Sequence, residues 1–359
     1  MLQALLEIFP DADLYTLLYD KEKTFGLFEK NIKRTSFLDF PIVRKKHRFF
    51  IPLMPFAAAK MKIDKDYNLI ISSTAGYAKG FNYRHQNNEN NPYHISYCHS
   101  PLRYAWEIDY LKNLPVSPWP ITHQTFSHPI AEWLKNWDKK SSRKVNLFIA
   151  NSEFIAEKIK AYYERETIVI HPPVDLEKFY YDPSPSPKSL NPKTYYLMVG
   201  RLLYYKGFDL GIEAFNRLKK PLKIVGAGPE FKKLKSLAAS PLIEFIPPVA
   251  DKELRLLYSN ATALIFPQIE DFGLVAAEAQ ACGTPVIAFN KGGAAEIVEN
   301  KKTGLFFGEQ TPEAIINTIK EFEKMDFDRE YIRKKAERFS KEQFKDKIKE
   351  MVAQNGFKI

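Results

Sequence analysis

The chain of 359 residues has little cysteine and no long apolar run. Its two cysteines, Cys98 and Cys282, lie far apart and neither has a second cysteine nearby, so neither a disulfide framework nor a cysteine-rich zinc site is supported. No apolar run reaches the roughly 18 residues that a membrane-spanning helix needs, and the N-terminus lacks the basic and apolar regions of a signal peptide. We therefore expect a protein of the reducing cytoplasm.

Charge and size narrow the possible partners. The chain is long enough for two domains, and its 45% hydrophobic and 27% charged content is typical of a globular protein. A formal charge of +10 favours an anionic partner, which could be nucleic acid, an acidic membrane surface or a phosphorylated small molecule. Because no nucleic-acid-reading motif accompanies the charge, we expect no nucleic-acid partner.

One basic segment leaves two interpretations open. The stretch "RKKHRFFIPLMPF", Arg44 to Phe56, mixes cations with aromatic residues. Its two prolines prevent it from forming one amphipathic helix. It is either an ordinary solvated loop or a patch that rests on anionic lipid headgroups.

From Leu69 onward, apolar runs typical of strands alternate with segments of helical period. The runs are "NLIISS", "HISYC", "VNLFIA" and "TIVI", then "TYYLMVG", "LKIVG", "LIEFI", "ATALIF" and "PVIAF". This alternation predicts an α/β protein with parallel sheets covered by helices. The proline-rich stretch from Tyr180 to Lys193 separates the two series, so we expect two doubly wound, Rossmann-like domains that face a cleft at the carboxyl ends of their strands.

The segment from Ala261 to Phe289 carries two glutamates around a helix start. Glu270 follows a predicted strand, and Glu278 lies on the predicted helix. A helix start attracts phosphate, while carboxylates beside it accept hydrogen bonds from hydroxyl groups. The pair therefore suits a ribose and a hexose held on either side of a diphosphate. The alternative is that Glu270 only stabilises the helix start and that Glu278 is a solvated residue.

Two cations and two glycines follow other predicted strands. Arg201 and Lys206 lie in "VGRLLYYKGFD", where a planar fork and a compact charge could hold a diphosphate leaving group, or could be surface cations near a turn. Gly226 and Gly228 in "VGAGPE" form a glycine turn. Phe231 stands where a dinucleotide fingerprint has its third glycine, so this turn alone is a weak signal.

Taken in order, four motifs resemble the donor domain of family 4 retaining glycosyltransferases, which have the GT-B fold. They are "GRLLYYKG", "VGAGPE", "ATALIFPQIEDFGLVAAEAQACGTPVIA" and "GGAAEIVENKKTGLFF". In the first half, "NLIISSTAGYAKG" and "HISYCHSPLRYAWE" resemble the acceptor domain of bacterial and archaeal members that transfer mannose or related sugars. The resemblance covers nearly the whole chain and is strongest from Thr194 to Phe307.

The resemblance assigns roles to individual residues. It implies that Glu278 binds the ribose of the donor and that Glu270 binds the transferred sugar. It implies that Arg201 and Lys206 hold the diphosphate and that His99, with these two cations and Glu270, forms the catalytic set. Arg103 would meet phosphate or acceptor. The other implied donor-binding residues are Gly226, Gly228, Phe272, Gly273 and Leu274.

The implied activity is the transfer, with retention, of a hexosyl group from a nucleoside-diphosphate sugar to a glycan or lipid-linked acceptor. GDP-mannose is the first candidate donor and UDP-sugars are the main competitor. We expect no cofactor and no metal, and we do not interpret "DAD", Asp11 to Asp13, as a metal site. The protein would be cytoplasmic, peripheral on the inner face of the cell membrane if the basic segment binds lipid. The alternatives are a non-catalytic or truncated sugar-nucleotide binder and a GT-B sugar-nucleotide epimerase or hydrolase.

The resemblance also sets expected domain limits. We expect an acceptor domain over 1–175, a donor domain over 176–338 and a final helix over 339–359 that crosses back to the acceptor domain. Family members have a strand and a glycine-rich loop before the helix that "LQALLEIFP" resembles, whereas Met1 stands where that helix begins. Either this sequence starts late or the shortened form is native.

Overall fold

Two parallel sheets organise the chain. The computed structural model describes residues 1–63, 65–83, 91–107, 127–182 and 195–358. The chain divides into two units, which we call the first unit, Met1–Ile170 with Lys347–Ile359, and the second unit, His171–Asp346. Most of the predicted proline-rich connection, residues 183–194, lies outside the described residues.

The first unit contains a four-stranded parallel sheet and a separate parallel pair. The pair is β1 (Leu14–Thr16) with β2 (Ile32–Thr35). The larger sheet has the order β3-β4-β5-β6, formed by β3 (Leu69–Thr74), β4 (Tyr93–Cys98), β5 (Leu147–Ala150) and β6 (Thr167–Val169). Its helices are α1 (Leu2–Ile8), α2 (Pro41–Lys46), α3 (Met54–Ala59), α4 (Arg103–Trp106), α5 (Ser127–Ser142) and α6 (Glu153–Tyr163).

The second unit contains a six-stranded parallel sheet with the order β12-β11-β10-β7-β8-β9. The strands are β7 (Tyr196–Val199), β8 (Leu222–Val225), β9 (Ile243–Ile246), β10 (Leu264–Phe266), β11 (Val286–Phe289) and β12 (Gly304–Phe307). The helices between and after them are α7 (Phe208–Leu218), α8 (Phe231–Leu237), α9 (Asp251–Asn260), α10 (Leu274–Ala281), α11 (Ala294–Ile297), α12 (Pro312–Phe322) and α13 (Arg329–Ala336). The last helix, α14 (Lys341–Gln354), begins in the second unit and ends in the first.

The strands of the second sheet are apolar on both faces because helices cover both. Successive side chains of a strand point to opposite faces. Leu197 of β7 packs with α9 and α10, whereas Met198 packs with α7, α8 and α12. Continuous apolar runs are therefore needed here, as in other doubly covered parallel sheets. The nine runs singled out in the sequence all form parallel strands, β3 to β11, so the predicted α/β class is confirmed.

A buried ion pair ties together the first unit. Lys79 and Asp138 are fully buried and bonded to each other, and Lys79 also donates to the carbonyl of Gly76 at 2.7 Å. Asp138 accepts further hydrogen bonds from the indole of Trp106 at 2.8 Å and the hydroxyl of Tyr163 at 2.6 Å. Because every charge in this cluster has partners, its burial is tolerated and it fixes α4, α5 and α6 to the loop after β3.

The basic segment is helical but does not form one helix, as its two prolines predicted. It consists of α2, a 3₁₀ helix over His47–Leu53 and α3, in direct succession. Pro52 lies inside the 3₁₀ helix, and Pro55 lies in the first turn of α3, where its missing N–H costs nothing. The segment is therefore not irregular, because the prolines divide a helical segment without abolishing it.

Two further observations bear on the sequence analysis. Cys98 and Cys282 are both buried free thiols. Among the described helices, none is both long and apolar enough to span a bilayer.

Candidate functional site

Four loops leave the same edge of the second sheet. They follow β7, β8, β10 and β11, which are neighbours in the sheet. Because parallel strands end at a common edge, the loops after them emerge side by side, and ligands of open α/β sheets bind there. This edge contains Arg201, Lys206 and Glu270, three of the residues that the sequence singled out.

The loops after β7 and β8 touch through their backbones. A Cβ atom on Gly226 would lie 1.9 Å from the carbonyl oxygen of Gly200, and one on Gly228 would lie 2.3 Å from that of Leu202. The N–H of Leu202 donates to the carbonyl of Ala227 at 3.0 Å. Gly226 also has a φ of +148°, a conformation that favours glycine. The two glycines of "VGAGPE" therefore let the loop that carries Arg201 close against its neighbour.

Lys206 and Glu270 join the loops after β7 and β10. The ammonium group of Lys206 donates to Oε1 of Glu270, and the two side chains are 15% and 21% exposed. Lys206 ends a 3₁₀ turn, Tyr204–Lys206, and Gly207, with a φ of +64°, is the N-cap residue of α7. A cation and a carboxylate from segments 64 residues apart thus meet in a partly buried position.

The loops after β10 and β11 are also in backbone contact. The N–H of Gly293 donates to the carbonyl of Glu270 at 2.9 Å. A Cβ atom would lie 2.6 Å from the Glu270 carbonyl oxygen if placed on Gly292, and 2.2 Å from that of Phe272 if placed on Gly293. In the sequence, these two glycines begin the motif "GGAAEIVENKKTGLFF". Their adjacency, two residues after the run "PVIAF", is the signal that a close contact follows the strand.

The start of α10 lies at the end of the loop that holds Glu270. Gly273, with a φ of +101°, precedes its first residue, Leu274, which is exposed, while Phe272 is buried. The first N–H groups of a helix have no intrahelical partner and carry the positive end of the helix dipole. This helix start can therefore accept an anionic group next to Lys206 and Glu270.

Glu278 lies on α10, on the side that faces α9. The hydroxyl of Tyr258, on α9, donates to its Oε2 at 3.2 Å. Burial raises the pKa of Glu278 to about 7, and the bond from Tyr258 opposes part of this effect. Glu278 is thus half-protonated near neutral pH and can act as a hydrogen-bond acceptor once it is ionised. Nothing local in the sequence marks Tyr258, because its contact with Glu278 depends on helix packing.

Arg201 differs from Lys206 in its surroundings. It lies two residues after β7, and its side chain is exposed. Within the described part of the chain, no carboxylate lies within ion-pairing distance of Arg201. Its guanidinium group can therefore accept an anionic ligand without first giving up a partner.

The predicted residues of the first unit lie at the carboxyl edge of its own sheet. His99 follows β4, and its Nε2 is 3.1 Å from the hydroxyl of Ser73 on β3. Asn151, directly after β5, donates to the carbonyl of His99 at 3.1 Å. Arg103 is the first residue of α4, with its Nε 3.4 Å from the hydroxyl of Ser100 and 4.0 Å from Glu107. His99 is thus held in place from both neighbouring strands.

Acidic and histidine residues elsewhere form pairs. His171 Nε2 lies 3.0 Å from Oε2 of Glu296 in the second unit. Asp13 of the "DAD" stretch accepts from Tyr67 at 2.6 Å and Lys65 at 2.9 Å. The described residues contain no group of three or more His, Cys, Asp or Glu side chains placed to hold a metal ion.

The fold of the whole chain defines its structural class. Two parallel α/β units of this kind form the GT-B fold. A glycosyltransferase from Rickettsia africae ESF-5 is similar with a TM-score of 0.67 and 18% identity, over 98% of this chain and 92% of that chain. Anabaena Alr3699/HepE in complex with UDP is similar with a TM-score of 0.64 and 19% identity, over 98% of this chain and 95% of that chain.

Two family models match the sequence, one in each half. Glycosyltransferase Family 4 matches residues 13–178, and Glycosyl transferases group 1 matches residues 184–345. The chain belongs to the family 4 glycosyltransferases. The D-inositol 3-phosphate glycosyltransferase of Mycobacterium sp. (strain JLS) is 32% identical over 174 residues, which are 44% of this chain and 40% of the relative. The match thus spans about two fifths of that relative's length.

Proposed function

We propose that the protein transfers a hexosyl group, with retention of configuration, from a nucleoside-diphosphate sugar to a hydroxyl group of a glycan or lipid-linked acceptor. The observation that carries this proposal is the meeting of Lys206 with Glu270 beside the start of α10. A cation, a helix start and a carboxylate are together suited to a diphosphate attached to a polyhydroxylated group.

The reaction needs stabilisation of a departing diphosphate. The bond from the anomeric carbon to the diphosphate oxygen breaks through an oxocarbenium-like transition state, and the leaving group takes the electron pair. The acceptor hydroxyl forms the new bond on the same face, and its proton passes to a phosphate oxygen of the leaving group. We assign the stabilisation of the growing negative charge to Arg201, Lys206 and the N–H groups at the start of α10.

The remaining residues would position the sugar nucleotide. Glu278 would accept hydrogen bonds from the ribose hydroxyls and Glu270 from those of the hexose. The backbone around Gly226, Gly228 and Gly273 would lie against the nucleotide. His99 is proposed to act in catalysis, and Arg103 to meet phosphate or acceptor.

The proposal also names candidate donors. Our first candidate is GDP-mannose, from the resemblance of the "YCHSPLRY" region to enzymes that transfer mannose. The UDP complex of HepE, and a further structure of that protein with UDP-glucose, support a nucleotide sugar as the donor and keep UDP-hexoses as the competitor. We propose that no cofactor or metal ion takes part. We place the protein in the cytoplasm, peripheral on the inner face of the cell membrane, within polysaccharide biosynthesis.

Product analysis tests the proposal. The protein is incubated with GDP-mannose or a UDP-hexose, together with glycan and polyprenyl-phosphate acceptors, and with and without a chelator. Mass spectrometry identifies the products and NMR gives the anomeric configuration. We expect a glycosylated acceptor with the configuration of the donor, unaffected by the chelator, and a loss of at least about 100-fold in rate for Lys206→Ala. The matched control is Lys324→Ala, an exposed position of the second unit.

Other outcomes would contradict the proposal in distinct ways. An isomerised nucleotide sugar or free hexose as the sole product would assign the protein to the epimerases or hydrolases. Nucleotide binding without any product would assign it to the non-catalytic binders. A product with inverted anomeric configuration would contradict retention but not glycosyl transfer.

A further inference from the structure

The ion pair of Lys206 with Glu270 is supported by backbone contacts on both sides. Gly207, directly after Lys206, packs against the loop after β10, and a Cβ atom on it would lie 3.0 Å from the ring of Pro267. On the other side, the carbonyl of Glu270 accepts from the N–H of Gly293 at 2.9 Å. The packing of these loops therefore keeps the two charged side chains within reach of each other.

The pair determines what an anionic ligand meets at this position. Both side chains are largely buried, so their charges interact more strongly than charges on the surface do. A diphosphate that binds the ammonium group of Lys206 shares it with the carboxylate of Glu270. Two acceptors of one ammonium group each lie about 2.8 Å from its nitrogen, so they are within about 6 Å of each other. The diphosphate and the carboxylate therefore repel each other.

A sugar attached to the diphosphate changes this balance. Its hydroxyl groups are hydrogen-bond donors, and they can replace the ammonium group as partners of the Glu270 carboxylate. A free diphosphate draws the ammonium group away and offers the carboxylate no donor in return. A site built around a polar group discriminates strongly against a ligand that leaves this group without a partner.

We propose that the pair of Lys206 and Glu270 makes the second unit select an intact nucleoside-diphosphate sugar over the free nucleoside diphosphate. Glu270 is then the specificity-determining residue. This inference rests on the proposed function, since it places the diphosphate at Lys206 and the sugar at Glu270. Once the sugar has passed to the acceptor, Glu270 competes again for Lys206, which favours release of the nucleoside diphosphate.

Calorimetric titration in the absence of acceptor tests the proposal. The full chain is titrated with UDP, UDP-glucose, GDP and GDP-mannose. We expect the wild type to bind one sugar nucleotide more tightly than the corresponding nucleoside diphosphate. The variant Glu270→Gln keeps the shape of the side chain and removes its charge. It should bind that nucleoside diphosphate roughly tenfold more tightly than the wild type does, because the repulsion is lost.

Two control variants separate this effect from general changes in charge or folding. Glu270→Asp keeps the negative charge and should show no gain in affinity for the nucleoside diphosphate. Glu321→Gln removes a carboxylate from another ion pair of the second unit, with Lys301 at 3.6 Å. Because Lys301 precedes β12, that pair lies toward the opposite edge of the sheet, and the variant should bind as the wild type does. A damaged fold would weaken binding, so it cannot imitate the expected gain.

The possible failures differ from one another. If Glu270→Gln binds the nucleoside diphosphate no more tightly than the wild type, the proposal is overturned while the nucleotide site itself stands. The same holds if the wild type binds the nucleoside diphosphate as tightly as the sugar nucleotide. If none of the four nucleotides binds, the proposed function is contradicted, and the selectivity proposal falls with it.

Discussion

Glu278 is a candidate site residue whose pKa departs from its ordinary value. Burial against α9 raises its pKa to about 7, well above the value of 4.5 that the group has when exposed. The folded protein therefore holds a proton on Glu278 between these two pH values, whereas the unfolded chain has already released it. Since the folded state binds more protons, stability falls as the pH rises through this range.

The variant Glu278→Gln should not show this fall in stability with rising pH, because glutamine stays neutral at every pH. We expect the difference in free energy of unfolding, variant minus wild type, to be about 2 kcal/mol larger at pH 8.5 than at pH 5.5. Urea denaturation at the two pH values measures this difference. The same variant should bind the nucleotide donor more weakly, because glutamine carries no charge to accept from the ribose hydroxyls.

The exposed residue Glu313 provides the control. Its bond to Arg217 lowers the pKa of Glu313, so the group is ionised in both folded and unfolded states across the range from pH 5.5 to 8.5. The difference between Glu313→Gln and wild type should therefore stay constant over that range. A constant difference for Glu278→Gln as well would show that its carboxyl group is not perturbed by burial.

The position of a residue after a predicted strand can be read from the sequence, but its spatial neighbours cannot. Lys206 and Glu270 were both placed after strands, and the two side chains meet. That contact depends on β7 lying next to β10, which no local propensity specifies. Tyr258 was missed for the same reason, since its bond to Glu278 exists only when α9 and α10 pack together.

The packing of loops and the starts of helices are less predictable than the strands. The loops after β7 and β8 come so close that a single methyl group at Gly226 would overlap the carbonyl of Gly200. The apolar runs predict where these loops lie in the sequence, but they do not predict how tightly the loops pack. The helix ends differ in the same way: Asp251 is the first residue of α9, so that Ala250 takes the N-cap position, whereas Thr311 caps α12 by accepting from the N–H of Ala314.

Replacement of Gly226 by alanine should therefore be costly. The new Cβ atom would lie 1.9 Å from the Gly200 carbonyl oxygen, in a backbone conformation that favours glycine. We expect a loss of at least about 2 kcal/mol in the free energy of unfolding. The matched control is Gly308→Ala, where nothing lies within 4 Å of the added atom, and its effect should stay within about 0.5 kcal/mol. Urea denaturation compares the two variants, and equal stabilities would show that the loops can separate without cost.

Considered as a whole, the chain has two α/β units of one fold with different surfaces. The second unit gathers Lys206, Glu270 and the start of α10 at one sheet edge, while the first unit exposes the apolar and cationic segment of residues 32–62. The α/β class was predictable because short apolar runs alternate with segments of helical period. The exposed surface was only partly predictable, because the sequence shows the charges of the basic segment but not which of its apolar residues are exposed.

Calorimetric titration of the full chain with GDP and with UDP measures whether the second unit binds a nucleoside diphosphate through Lys206. We expect saturable binding of one of the two nucleotides and an affinity at least about tenfold lower in Lys206→Ala, because a charge-assisted bond to phosphate is lost. Lys324→Ala should bind as the wild type does. No binding of either nucleotide, or equal binding by Lys206→Ala and wild type, would contradict the site described here.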